Sequence, residues 1–137
     1  MDIEVKIKSL THEELSDILT TAFYGNPEME MDYEGTASIV HDCFEDNAAQ
    51  VLLDGGTLLV TDLESHGDSL DEACGDLPRY IDADEYITYK VTLKDILEKA
   101  STPECFRMIQ DILSGEGDMI TAWNLMQTIV FGEIIYG

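Results

Sequence analysis

The sequence predicts an α+β fold, a small antiparallel or mixed sheet of about three strands covered by about five helices. It forms one acidic domain over residues 1–137. Two kinds of segment lead there, since stretches that alternate with period two stand apart from stretches with helical spacing. Their order, β-α-α-β-β-α-α-α, lacks the regular alternation that builds a parallel sheet. A hydrophobic fraction of 45% over 137 residues fills a single core and leaves no room for two comfortable ones.

Asp2–Lys8 alternates Ile3, Val5 and Ile7 with Glu4, Lys6 and Lys8, as a half-buried strand does. Thr11 is a good N-cap and Glu14 completes a capping box. Leu15, Ile18, Leu19, Ala22 and Phe23 then recur at helical spacing until Gly25. Residues 26–35, NPEMEMDYEG, are polar, punctuated by Pro27 and Gly35, and read as a loop. A second helix is expected from Ala37 to Leu53, with Ile39, Cys43, Phe44, Ala48, Val51 and Leu52 toward the core and Gly55-Gly56 as its stop. Thr57–Leu63 and Tyr86–Val91 read as neighbouring strands. The acidic connector between them, residues 64–85, has the length of a functional or mobile loop. Thr92 caps a helix over 93–100, and Thr102-Pro103 begins another that runs to Gly115. Asp118 is placed to cap a last helix, MITAWNLMQTIVFG, whose apolar residues lie on more than one face. Trp123, Phe131 and Tyr136 in that region read as core packing rather than as a binding face.

The net charge of −22 lies far outside the magnitude of about 2–8 usual for a small soluble domain. It is also lopsided: no Lys or Arg occurs between Lys8 and Arg79, so Ser9–Pro78 carries −17 and the rest of the chain −5. Solubility or adaptation to high salt would explain a large charge, but interspersed signs suffice for solubility and do not require 70 residues without a cation. A cation-free surface suits a Lys- and Arg-rich cleft, to which it would be steered electrostatically. Nucleic acid and anionic membranes would repel it. No segment has the form of a signal peptide or approaches the roughly 18 apolar residues of a membrane span. The odd, widely spaced Cys43, Cys74 and Cys105 suggest reduced thiols. A cytoplasmic protein is therefore expected.

Catalytic and metal signatures are missing. An EF-hand register starting at Asp62 places Glu64 and Gly67 suitably, but puts His66 and Ala73 where oxygen ligands belong. His41 and Cys43, at i, i+2 on the expected helix, would point apart, with Cys43 in the core and His41 on the surface. Cys43 and Cys74 sit in the most negative part of the chain, which opposes thiolate formation, and Cys105 is the best remaining thiol. A non-enzymatic protein without metal or cofactor is expected. A small metal-dependent enzyme, and an acidic antitoxin or chaperone docking through an apolar face, are the alternatives from other classes.

The segments IKSLTHEEL, AFYG, DCFED, LLDGG, YKVTLKDIL and TAWNLMQTIVFGE resemble those of small acidic proteins carried by phages and conjugative elements of gut bacteria. Within that group the chain is similar to anti-CRISPR proteins that inhibit type II Cas9 nucleases. The resemblance spans most of the chain, but it lies in core and capping segments and carries no residue-level functional map. It implies a host-defence inhibitor working in the bacterial cytoplasm on a guide-loaded, Cas9-type nuclease, blocking DNA binding or cleavage. DNA mimicry is the mechanism that fits the charge, because a carboxylate carries one charge and accepts bidentate Arg contacts, as a phosphate does. The expected partner-binding carboxylates are Glu28, Glu30, Asp32 and Glu34 in one segment. In the other they are Asp62, Glu64, Asp68, Asp71, Glu72, Asp76, Asp82, Asp84 and Glu85.

Overall fold

The computed structural model describes residues 9–23, 28–64, 69–70, 75–115 and 119–136. The expected Asp2–Lys8 strand and the Asp118 cap lie outside them. Helix α1 (His12–Phe23) begins where its capping residues require. The Thr11 N–H donates to Glu14 Oε1 (2.8 Å), and the Glu14 N–H returns a bond to Thr11 Oγ1 (3.2 Å). Two of the N–H groups that a helix start leaves unpaired are thereby satisfied. Leu15, Ile18, Leu19 and Ala22 form its buried stripe.

Residues 26–35 contain a strand, not only a loop. Strand β1 (Met29–Glu34) pairs antiparallel with β2 (Thr57–Asp62), Met29 opposite Asp62 and Glu34 opposite Thr57. Helix α2 (Phe44–Leu53) is shorter than expected at its start. Residues 36–43 form a loop, and Ile39 and Phe44, expected in the core, are exposed. At its other end Gly55, with φ of +90°, takes the left-handed conformation that stops a helix and that a side chain would resist.

Strand β3 (Arg79–Ile81) lies within the expected connector and pairs with β4 (Ile87–Val91), which also pairs with β2. Among the described residues the sheet is antiparallel throughout, in the order β1-β2-β4-β3: four strands where about three were expected, with β1 and β3 not among those expected. Helices α3 (Leu93–Ala100), α4 (Pro103–Leu113) and α5 (Met119–Phe131) follow. Thr92 and Asp95 form a reciprocal capping box on α3, and Pro103 opens α4.

Helix α5 is the centre of the helical layer. Trp123, Leu125, Met126, Ile129, Val130 and Phe131 are all buried, and the helix packs against α1, α3 and α4. The expectation of a helix buried on several faces is met, and the aromatic residues are core. Trp123 meets Phe23 edge-on at 6.4 Å, and Phe131 meets Tyr89 at 5.3 Å. The one fully buried amide on this helix, Gln127, has its hydrogen bonds filled by the chain end. Its Oε1 accepts from the N–H groups of Ile135 (2.9 Å) and Tyr136 (2.6 Å), while Nε2 donates to the Tyr136 carbonyl (3.0 Å). A buried amide left unpaired would be costly, so this clamp fixes where residues 135–136 lie.

A second clamp joins the chain before β3 to the same helix. Gly75, with φ of +83°, passes so close to the end of α5 that a Cβ would lie 2.7 Å from the Val130 carbonyl oxygen. Arg79 holds the turn from the other side. Its Nη2 donates to the Gly75 carbonyl (2.6 Å) and its Nε to that of Leu77 (2.9 Å), with the guanidinium 5.0 Å from the Tyr89 ring centroid.

Candidate partner-binding face

Strand alternation gives the sheet two unlike faces. Met29, Leu58, Val60, Ile87, Tyr89 and Val91 point to the helices and belong to the core. The opposite face shows Glu30, Asp32 and Glu34 from β1, Leu59 and Thr61 from β2, Thr88 and Lys90 from β4, and Tyr80 from β3. Leu59, although apolar, is only half-buried and takes no part in the core. The register aligns Glu30, Thr61, Thr88 and Tyr80 in one row across the strands, and Asp32, Leu59 and Lys90 in the next. Thr61 and Thr88 share a hydroxyl hydrogen bond of 2.8 Å in mid-row, and Lys90 Nζ lies 5.6 Å from the Tyr80 ring centroid.

This face is a shallow concavity of about 490 Å³ with Glu30 and Asp32 on one rim and Asp82 on the other. It brings together carboxylates from both acidic segments identified in the sequence. Asp82 also builds the β3–β4 hairpin. Its Oδ1 accepts from the N–H groups of Asp84 (2.9 Å) and Tyr86 (3.0 Å), which exposes Asp84 and holds Glu85 at φ +67°.

Other expected site residues lie elsewhere. Asp62 points inward from the end of β2, is 8% exposed, and accepts the Tyr136 hydroxyl at 2.6 Å and the Glu64 N–H at 3.1 Å. Burial and the neighbouring Asp62 charge push the Tyr136 phenol far above its ordinary pKa. Glu28 is half-buried, with its carbonyl taking the Leu63 N–H, and Glu64 is exposed. Asp76 pairs with Lys99 at 3.1 Å, and this cation holds its carboxyl below the usual carboxylate range. Asp68, Asp71 and Glu72 fall outside the described residues.

The asymmetry of charge along the chain becomes an asymmetry in space. Residues 9–64 contain 13 Asp and Glu and no Lys or Arg. They build α1, β1, α2 and β2, where α1 and α2 pack on each other and on β1. The described cations all belong to β3, β4, α3 and α4: Arg79, Lys90, Lys94, Lys99 and Arg107. Lys99 pairs with Asp76 and Lys94 with Glu98. Between α1 and α2 a hollow of about 370 Å³ is lined by His12, Glu13, Ser16, Asp17 and Asp46.

Two of the three thiols, Cys43 and Cys105, lie among the described residues, and Cys74 lies outside them. Cys43 is exposed at the N-cap of α2 and His41 is half-buried, the reverse of the placement read from the sequence, because the helix starts after both. Cys105 is buried in the core, and burial raises its pKa, so it is a packing residue. Among the described residues no cluster of three His, Cys, Asp or Glu side chains is arranged to hold a metal ion, and no helix is long and apolar enough to cross a membrane. The contributions of Leu59, Thr61, Thr88 and Tyr80 to the face were not anticipated from sequence. The alternation of MEMDYE was the signal that would have found its acidic rim. No protein-family model, curated protein or solved structure matches the chain.

Proposed function

We propose that the protein is an anti-defence inhibitor that binds a basic, nucleic-acid-binding surface of a Cas9-type nuclease and blocks DNA binding or cleavage by occupying the place of DNA. The observation that carries this reading is the convergence of carboxylates from two distant segments onto the rims of one sheet face, where Lys90 is the one cation among the described residues.

Magnitudes support a mimic of duplex rather than of a single strand. Alternate residues of a strand are about 6.8 Å apart, so Glu30, Asp32 and Glu34 carry half the linear charge density of one DNA strand, which has a phosphate about every 3.4 Å. The full charge does better, since 22 negative charges equal those of roughly 37 Å of duplex, about the diameter of a compact domain of this length. The two rims are three strand spacings apart, about 14 Å, close to the roughly 12 Å width of a major groove. Cas9 offers a matching surface in its positively charged heteroduplex channel and in the Arg residues that read the short motif beside the target. No proton transfer or bond cleavage is asked of the inhibitor; its carboxylates accept Arg and Lys donors that otherwise hold phosphates.

The test is to add the protein to guide-loaded Cas9 and measure complex formation and target cleavage over a range of ionic strengths. Binding and protection that weaken with salt are expected. Absence of both at every salt concentration would refute the proposal.

A further inference from the structure

The loop between β1 and α2 does what an acidic surface alone would not require. Ile39 and Val40 at its tip are 61% and 83% exposed, whereas Phe44, the first residue of α2, lies against Tyr33 at 5.1 Å. Isolated exposed apolar residues are ordinary, but two adjacent large β-branched ones at one loop tip make a small patch.

The loop is fastened on both sides of this pair. Before it, the Ser38 N–H donates to Asp54 Oδ2 (2.7 Å), and Gln50 Nε2 donates to Ser38 Oγ (3.3 Å) and Asp54 Oδ2 (3.2 Å). After it, Asn47 grips the backbone of His41 twice: Oδ1 accepts the N–H and Nδ2 donates to the carbonyl, both at 2.7 Å. With the Gln50 amide nitrogen committed as donor, its Oε1 accepts from His41 Nε2 at 3.3 Å, and the His41 ring stacks on His12 at 4.4 Å. Helix α2 thus holds residues 38 and 41, and Ile39 and Val40 are the large apolar side chains that project between them. Their side chains are stiff at χ1, so little conformational freedom remains to be lost when they are buried against another surface.

We infer that Ile39 and Val40 form an apolar anchor that inserts into an apolar pocket of the partner rimmed by Lys and Arg, seating the acidic surface in register. The inference rests on the reading of the protein as an inhibitor of a basic nuclease and deepens it. Charge selects the occupant: Glu34 at the end of β1, Asp42 in the loop and Asp54, which holds Ser38, are all exposed, so the rim of the pocket must be basic. A second copy of a chain of net charge −22 would be repelled. A central apolar anchor inside a charged rim is the usual division of labour at interfaces, where anchors set the dissociation rate and rim charges the association rate.

The experiment titrates guide-loaded Cas9 with the unmodified protein, the Ile39→Ser/Val40→Ser double variant and Asn47→Ala, recording association and dissociation rates at two salt concentrations. Thermal melts serve as the control for folding. The double variant is expected to bind about tenfold or more weakly through faster dissociation, with an unchanged salt slope. Asn47→Ala keeps both anchor side chains but frees the loop, and is expected to weaken binding about two- to fivefold. A double variant that binds like the unmodified protein would overturn the anchor while leaving the proposed function standing. Failure of the unmodified protein itself to bind would overturn that function and the anchor with it.

Discussion

Carboxylates of one chemical type have different roles here according to where the backbone points them. Asp62 and Asp82 lie in one acidic segment by sequence, yet Asp62 turns inward to Tyr136 whereas Asp82 organises a hairpin at the rim of the open face. Composition could not separate them; the parity of β2 does, because Leu58, Val60 and Asp62 share a face. The Asp62–Tyr136 bond is therefore a stability element. Tyr136→Phe leaves a nearly buried carboxylate without its hydroxyl donor and is expected to cost about 1–3 kcal/mol in urea unfolding, with no change in partner binding beyond that. The pH dependence has a definite sign. A phenol whose pKa is raised on folding keeps its proton where the unfolded chain would lose it. Its contribution is thus complete below the ordinary tyrosine pKa of about 10 and is lost as pH climbs past it. Stability measured from pH 8 to 11 should fall more steeply for the unmodified protein than for Tyr136→Phe; parallel curves would show that the phenol is not so held.

At the scale of elements, legibility followed pattern length and local signals. The capping boxes of Thr11 with Glu14 and Thr92 with Asp95 set two helix starts, and α5 declared its burial by carrying apolar residues on more than one face. Strand β1 was obscured because its outward residues are all acidic and Pro27 and Gly35 bracket it, although MEMDYE alternates without a break. Strand β3 has three residues, too few to show a period, and owes its place to pairing with β4. The residues before α2 mimicked helical spacing at Ile39 and Cys43, but Asn47, Gln50 and Asp54 capture that stretch as a loop through side-chain bonds no local pattern reveals. The β3–β4 hairpin makes its own prediction. Glu85 occupies the left-handed region at φ +67°, a cost of about 1–2 kcal/mol for an L side chain, partly offset by the greater chain entropy that Gly loses on folding. Glu85→Gly is expected to raise Tm by about 2–4 °C, and Glu85→Val to lower it; a lower Tm for the Gly variant would mean that the turn is not under this strain.

For the whole molecule, the uneven charge of the sequence was the readable signal. Its conversion into an acidic end depended on topology, because β1 and β2 sit together at one end of the sheet beneath α1 and α2. Had the chain interleaved these strands with β3 and β4, the same composition would have produced a mixed surface. Besides the capping Asp95, the acids of α3 and α4 are Glu98, Glu104 and Asp111; they share their helices with Lys94, Lys99 and Arg107, and Glu98 is paired with Lys94. The most direct measurement is the slope of log affinity against log salt for guide-loaded Cas9 with three proteins: the unmodified chain, Glu30→Gln/Asp32→Asn/Glu34→Gln, and Glu98→Gln/Glu104→Gln/Asp111→Asn. If the sheet face replaces phosphates, the β1 variant loses affinity and up to about three units of slope while the helix variant stays close to the unmodified chain. Equal losses in the two variants would contradict a localised phosphate-like face.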